Sequence, residues 1–404
     1  MTDRVYPNDL REFALAKAIR AGGWQAPVLW FDQAGLALLA FVLLFVMPML
    51  HLAGLADMSL ISQIGRYCAL ALVAIGLDLV WGYTGILSLC QAMFFTVGGY
   101  ALGMFMCMHG PMDPKSGTIP MQLFVVTSDP NLVLPWFWQP FAWPWFAVAM
   151  VLLLPAIAAW LIGFFAFRSR IKGVYFSIIT QAITIAAWLM FCRNDLMLCG
   201  TNGLSGIQIL FGGDMRDPGM KMGLYLVSVL TMLGATLFAL ALVQTRFGRI
   251  LVAIRDSESR VRFTGLSPVR YKTAIFVIAA ILAGIGGALY APQTQNINPS
   301  NMAASASILV VVWVAVGGRG TIIGPVVGTL AVCLFESFLT SGRTITLPFA
   351  PEWLNAVLKQ FMSKMPQFWM LIIGMIFILV VLFLPDGLIG RWRALVAYVR
   401  GTSP

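Results

Sequence analysis

The sequence predicts an all-α, polytopic membrane protein with about ten transmembrane helices, some of them broken. Of its 404 residues, 60% are hydrophobic and only 10% are charged, whereas a soluble domain carries roughly 25% charged residues. The mean hydropathy is +0.87. The apolar residues also fall into runs of about 20, the length that crosses a bilayer as a helix. Together these observations exclude a soluble globular domain.

Ten apolar runs follow one another along the chain. The eighth and ninth are short and meet at the sequence GGRGTIIGP, which predicts either a tight turn or a second broken helix. The predicted crossings are about 33–54, 60–81, 85–109, 143–167, 174–192, 222–243, 273–295, 304–318, 322–340 and 367–385.

The distribution of Lys and Arg predicts that both termini lie in the cytoplasm. With the N-terminus inside, the inside segments carry more than twice as many of these residues as the outside segments, as the positive-inside rule requires. This asymmetry accounts for the net charge of +10 without a nucleic-acid partner. The chain then divides into a cytoplasmic segment, 1–32, with an amphipathic helix from Asp9 to Arg20, a transmembrane domain, 33–385, and a cytoplasmic tail, 386–404.

The stretch from Gly82 to Gly103, GYTGILSLCQAMFFTVGGYALG, is a poor transmembrane helix. It contains five glycines and several polar side chains. Backbone that is not helical occurs at bilayer depth only where protein buries it or where it lines a cavity, and glycine-interrupted segments point to transport sites. We therefore expect this stretch to line a solute path, although small residues also let helices pack closely. Asp78, just before it, is expected to anchor the turn at Gly82.

Five polar residues are candidates for the path. Gln91 and Gln181 each carry a donor and an acceptor, which serve either a small amide solute or a hydrogen bond between packed helices. Thr84 and Ser88 share a helical face if the segment is helical there, and they either line the path or bond back to their own backbone. Asn202, in the sequence TNG, belongs to an outer gate, contacts a binding protein or forms a simple turn.

The longest charged loop predicted inside is residues 244–272. Ile250 to Phe263 can form a helix that Gly265 ends, and Pro268 begins the next turn. Such a helix either docks on a soluble partner or is a solvated loop that fixes the topology. If it docks, the candidate coupling residues are Arg255, Asp256, Glu258, Arg260 and Gly265.

Several motifs resemble branched-chain amino acid ATP-binding-cassette transporter permeases. They are, in order, WGYTGILSL with GGYALG, then TNGL, then AIRDSESRVRFTGLSPVRYKTAIFVIAAILAGIGGALYA, then VGGRGTIIGPVVG. In that family the short helix of the cytoplasmic loop is similar to the coupling helix seated in the ATPase. Within the family, the Pro/Trp-rich loop LPWFWQPFAWPWF and the sequence FCRNDLMLCGTNGLSG most resemble the larger urea-type permease subunit. The chain differs at Cys90-Gln91, where branched-chain members commonly have Gly-His.

The resemblance implies the permease subunit of an importer in a bacterial inner membrane. Its expected partners are a second homologous permease, cytoplasmic ATPase subunits, a periplasmic substrate-binding protein and the lipid bilayer. Urea or a related short amide is the implied solute, and a branched-chain amino acid is the alternative. An ATP-independent carrier or channel is a further alternative, in which the loop 244–272 is an inert connector.

Catalytic and metal-binding chemistry are not expected. The chain has no Gly-Lys dipeptide and so no phosphate-binding Walker loop. Its two histidines are far apart in sequence, and its six cysteines show no C-x-x-C spacing. We therefore expect no enzyme activity, no cofactor and no metal. Whether Cys192 and Cys199 pair is left open.

Overall fold

A computed structural model describes residues 35–55, 57–112, 119–123, 134–169, 171, 173–341, 368–380, 382–383 and 387–391. The described part is mostly helical, and eight of its helices are long and apolar enough to cross a membrane. The predicted segment 1–32, including the amphipathic helix, and residues 392–404 of the tail lie outside it. The eight helices are α1 Gly35–Leu52, α2 Met58–Thr84, α3 Gln91–Met108, α4 Pro144–Arg168, α5 Val174–Phe191, α6 Pro218–Gln244, α9 Pro268–Thr294 and α11 Ile323–Thr340.

The remaining helices are shorter. Two are apolar and two form the loop between α6 and α9. They are α7 Arg246–Asp256, α8 Glu258–Phe263, α10 Ala304–Gly317 and α12 Phe368–Val380. The ten apolar helices follow the ten predicted crossings in order, which confirms the all-α polytopic prediction. Within α1, residues Val42–Val46 form a π-helical turn.

The eighth and ninth crossings form a helical hairpin. Helix α10 ends at Gly317, and α11 begins at Ile323. Gly318 and Gly320 have φ angles of 122° and 77°, a region that L side chains rarely adopt. The tight turn, rather than a second broken helix, is therefore the correct interpretation of GGRGTIIGP.

Helix α9 lies at the centre of the bundle and packs against α2, α3 and α4. Its contact with α3 depends on glycine, because a Cβ on Gly98 would lie 2.2 Å from the carbonyl oxygen of Gly284. A Cβ on Gly287 would lie 1.8 Å from the carbonyl oxygen of Phe95. Close packing between helices is thus the role of Gly98 and its neighbours in α3.

The connections at the end of the bundle predicted to lie outside are compact. Four short strands form two antiparallel pairs, with Leu204 opposite Ile297 in one and Ile209 opposite Asp214 in the other. The first pair ties the sequence TNGL to the end of α9. The strands are β1 Leu204–Ser205, β2 Ile209–Leu210, β3 Gly213–Asp214 and β4 Asn296–Ile297.

The loop between α6 and α9, which the sequence places in the cytoplasm, contains two helices, so the prediction of one helix from Ile250 to Phe263 was wrong. Ser257 has φ −160° and ψ 97°, an extended conformation that separates α7 from α8. The predicted end is correct: Gly265 has φ 82°, and α9 begins at Pro268. The separation of the two helices at Ser257 lets Glu258 turn towards α9, where it contacts Lys272.

Candidate functional site

The third crossing begins as non-helical chain and becomes helical only at Gln91. Helix α2 ends at Thr84, and Gly85 has φ 76°. Residues 85–90 form no helix, which confirms the prediction of a broken helix in this stretch, although the helix begins six residues later than the predicted start of the third crossing. We call residues 85–90 the break. From Gln91 to Met108 the chain is a regular helix whose residues are mostly buried within the protein.

Hydroxyl groups of α5 satisfy the backbone of the break. The Ser177 hydroxyl donates to the carbonyl of Leu87 at 2.8 Å. The Leu89 amide donates to the Thr180 hydroxyl at 3.1 Å, and the Thr184 hydroxyl donates to the Leu89 carbonyl at 3.2 Å. Non-helical backbone in a bilayer needs such internal partners. The break therefore lies along one face of α5 and is held there by three side chains.

Two of the predicted path residues are engaged locally. The Thr84 hydroxyl donates to the carbonyl of Val80 at 2.6 Å, one turn earlier in α2. Ser88 lies 3.2 Å from the Cys90 sulfur. Because the chain is not helical between them, Thr84 and Ser88 do not share a helical face. For Thr84 the structure matches the alternative of bonding back to the backbone.

The two glutamines differ from these residues. Gln91 is only 1% exposed, and both polar atoms of its amide are buried without a hydrogen-bond partner. Both amide atoms of Gln181 on α5 are likewise buried and unpartnered. Unpaired buried amides are unusual in folded proteins. Neither glutamine forms the hydrogen bond between helices that was the alternative to a path role.

The end of α2 is fixed to the turn of the α10–α11 hairpin. The Gly320 amide donates to Asp78 Oδ1 at 2.7 Å, and the Tyr83 hydroxyl donates to the Gly320 carbonyl at 3.2 Å. The guanidinium of Arg319 donates to the Trp81 carbonyl at 3.0 Å and lies over the Trp81 ring, 4.9 Å from its centroid. Asp78 is thus an anchor, as predicted, but its partner is Gly320.

The cytoplasmic loop reaches the same place. Arg255, near the end of α7, donates from Nη1 to the carbonyl of Gly82 at 2.9 Å. A Cβ on Gly85 would lie 3.1 Å from the Cγ of Arg255, so glycine at the start of the break leaves room for this side chain. One side chain therefore joins the predicted coupling loop to the predicted path segment.

Glu258 stabilises the loop internally. It accepts hydrogen bonds from Lys272, at 2.7 Å, and from Arg262. Partial burial opposes its ionisation, but the hydrogen bonds and charges of Lys272 and Arg262 outweigh that effect and lower the pKa of Glu258. Glu258 therefore fastens α8 to α9.

The other predicted coupling residues are exposed. Asp256, Arg260 and Gly265 all lie on the surface of the loop. Asp256 and Arg260 line a groove of about 410 Å³ together with apolar side chains such as Ile250 and Val261. This groove is open to the surface of the loop.

Asn202 lies far from this group. It ends the turn Gly200–Asn202 and is exposed. Gly203, with φ 64°, follows it, and a Cβ there would lie 2.3 Å from the Ile297 carbonyl oxygen. Asn202 thus belongs to the cap formed by β1 and β4, at the opposite end of the molecule from the Arg255 contact. Nearby, Cys192 and Cys199 are both free thiols.

Sequence reasoning missed Ser177, Thr180, Thr184 and Arg319. The three hydroxyl residues recur at intervals of three and four along an apolar helix, a spacing that places them on one face. That pattern was a usable signal for a helix that supports non-helical backbone. Arg319 carried no comparable signal, because its contact with Trp81 depends on the tertiary fold.

A family profile described as "Branched-chain amino acid transport system / permease component" matches residues 59–381. The match therefore includes the helices from α2 to α12, the break and the loop between α6 and α9. Within the described residues of this region, no group of His, Cys, Asp and Glu could hold a metal ion.

Curated relatives include the high-affinity branched-chain amino acid transport system permease proteins LivM of Salmonella typhimurium and Escherichia coli. The first is 24% identical over 80% of this chain and 68% of its own length. The second is 25% identical over 87% and 74%. The ribose import permease protein RbsC of Bacillus subtilis is 25% identical over 37% of this chain and 48% of its own length. No solved structure matches the chain significantly.

Proposed function

Since the chain belongs to the permease-component family of branched-chain amino acid transport systems, we propose that it forms part of the path for a branched-chain amino acid. The family consists of permease subunits of ATP-binding-cassette importers, and the chain is accordingly a multi-pass protein of the bacterial inner membrane rather than an enzyme. Membership implies ATPase subunits, a substrate-binding protein and another permease subunit as partners.

The contact between Arg255 and Gly82 is the observation that carries the proposed mechanism. Arg255 lies in the loop that would face the ATPase, and the Gly82 carbonyl lies three residues before the break. A displacement of α7 would pull on the chain at the point where α2 ends. The exposed groove with Asp256 and Arg260 offers the ATPase a surface beside this contact.

The break is suited to moving. Its backbone is held by three hydroxyl side chains instead of by a continuous helical ladder. Each such hydrogen bond contributes roughly 0.5–1.5 kcal/mol, so the segment can be exchanged between two arrangements at modest cost. Gln91 and Gln181, whose amides are unpaired in this arrangement, would then meet solute or water as the path opens.

The named relatives favour a branched-chain amino acid over urea. Both LivM proteins are named for branched-chain amino acid transport, and none of the relatives described above is named for urea. The expectation of urea drawn from the sequence is therefore replaced by its alternative. Part of the chain is also similar to a permease named for ribose import, so the solute needs a direct measurement.

Uptake by the reconstituted complex tests the proposal. The complete complex, with its binding protein outside and ATP inside liposomes, is supplied with labelled leucine or labelled urea. We expect leucine to accumulate only with hydrolysable ATP. Accumulation of urea without leucine would overturn the proposed solute, and equal leucine uptake without ATP would overturn the importer mechanism in favour of a carrier or channel.

A further inference from the structure

A polar cavity of about 230 Å³ lies between α2, α9 and α11. It is smaller than the roughly 300–1,000 Å³ of pockets for drug-sized ligands and suits a molecule of amino-acid size. Arg66 and Glu336 supply its charges, Tyr290 its aromatic ring, and Leu70 and Cys333 an apolar part of its wall. Nothing in the break or the coupling loop uses this cavity.

The cavity lies in the outer part of the transmembrane region. Arg66 is eight residues into α2, which is about 12 Å at 1.5 Å per residue, and Glu336 is in the last turn of α11. Both of these helix ends face the side opposite Arg255 and Arg319. With the predicted topology, the cavity is therefore on the periplasmic side of the membrane.

Neither Arg66 nor Glu336 has a partner of opposite charge among the described residues. The Nε of Arg66 is buried and has no hydrogen-bond partner. Of the ion pairs formed by the described residues, none includes Arg66 or Glu336. The two side chains line one cavity together with Tyr290. Ionisable side chains within a membrane span are costly and usually functional.

We propose that Arg66 and Glu336 form a binding site for a zwitterionic amino acid, with Arg66 holding the α-carboxylate and Glu336 the α-ammonium. The guanidinium is suited to a carboxylate because its N–H groups match both oxygens. A bound zwitterion would neutralise both charges at once, because its carboxylate would pair with Arg66 and its ammonium with Glu336. Leu70 and Cys333 would lie beside the aliphatic side chain of the amino acid. The choice of a branched-chain solute rests on the proposed function.

The neighbouring hydrogen bonds shape this site. Gln63 donates to the Tyr67 hydroxyl at 2.6 Å and also to the hydroxyl of Ser337. The hydrogen bond to Tyr67 lies within α2, and the one to Ser337 joins α2 to α11 and keeps these two walls of the cavity together. Tyr290 packs edge-on against Phe95 of α3, with ring centroids 5.3 Å apart. A change at the site can therefore reach the helix that follows the break.

Protection of an introduced thiol tests the site without relying on transport. Thr340, which is exposed and lines the cavity, is replaced by cysteine in the complete complex in nanodiscs, and the unsubstituted complex corrects for native thiols. We expect leucine to slow the reaction of this cysteine with a small maleimide at least fivefold. Leucinamide lacks the carboxylate and 4-methylpentanoate lacks the ammonium, so neither should protect. Adding Arg66→Met or Glu336→Gln should raise the half-protecting leucine concentration at least tenfold.

The outcomes separate this inference from the proposed function. If leucine is taken up by the unsubstituted complex but never protects Thr340→Cys, the site is wrong and the proposed function stands. If Arg66→Met instead releases the second permease subunit during purification and leucine gives no protection, the two charges belong to a subunit interface and the inference is overturned. If leucine protects but is not transported, the site stands and the proposed function fails.

Discussion

Arg255 donates a hydrogen bond to the carbonyl of Gly82 across 173 positions of sequence, at an N–O distance of 2.9 Å. The contact joins the end of α7 to the last turn of α2. Arg319 donates to the adjacent carbonyl of Trp81 from the hairpin turn. Two guanidinium groups from distant segments thus hold consecutive carbonyls immediately before the chain leaves the helix. Movement of either segment acts on the same point.

Replacing Arg255 by Met should uncouple ATP hydrolysis from transport. A hydrogen bond to a charged donor contributes about 1.5–3 kcal/mol, so we expect leucine transported per ATP to fall about tenfold or more. Arg249→Met is the matched control, because Arg249 lies on the same helix and is exposed. Uptake and phosphate release are measured in the same liposomes. Equal coupling ratios in the two variants would remove Arg255 from the mechanism.

Replacing Thr180 by Val should loosen the break. The Leu89 amide would lose its acceptor, and leaving a buried donor unpaired costs about 1–3 kcal/mol. We expect faster hydrogen exchange at residues 86–90 and reduced uptake. Thr231→Val is the control, since its hydroxyl bonds only to its own helix at Val227. If exchange at the break is the same in both variants, α5 does not hold the segment.

Hydropathy predicted the ten apolar helices because the length and polarity of a run are local properties. The position of the break could not be predicted in this way, because it depends on contacts with other helices. Both Gly85 and Gly98 lie in the stretch from Gly82 to Gly103. Only Gly85 ends a helix, whereas Gly98 packs on Gly284 of α9. Choosing between them requires the neighbouring helices.

The loop and the cavity also depend on contacts that local sequence does not reveal. The sequence from Ile250 to Phe263 reads as one helix, and it divides at Ser257, where Glu258 meets Lys272 of the next helix. Arg66 and Glu336 fall in two different predicted crossings, 60–81 and 322–340, and they line one cavity only because α2 and α11 pack together. Residues that carry charge in a membrane protein therefore need the fold before they can be paired.

The Glu258 cluster should stabilise the loop at neutral pH and fail in acid. Because the pKa of Glu258 is lowered by folding, its contribution is fully present above the unfolded pKa, near 4.3, and is lost as the pH falls through the lower folded value. We expect Glu258→Gln to lower the melting temperature of the complex at pH 7. The difference from the unsubstituted protein should shrink below about pH 4.3.

Asp195→Asn provides the comparison for this titration. Asp195 pairs with Arg193, but both side chains are more than 70% exposed, and exposed pairs contribute little. Its melting temperature should follow that of the unsubstituted protein at every pH. If the melting temperature of Glu258→Gln were below that of the unsubstituted protein by the same amount at every pH, packing and not ionisation would account for the stabilisation.

Replacing Gln91 by Leu should separate stability from transport. The amide of Gln91 is buried and unpaired, so an apolar side chain of similar size should leave the melting temperature unchanged or raise it. Uptake of leucine should nevertheless fall at least fivefold if the amide meets the solute as the path opens. Gln293→Leu should instead lower the melting temperature, because Gln293 donates hydrogen bonds to Ser228 and to the Leu289 carbonyl. Normal uptake by a stable Gln91→Leu complex would reduce Gln91 to a packing residue, and the path would then have to be sought elsewhere around the break.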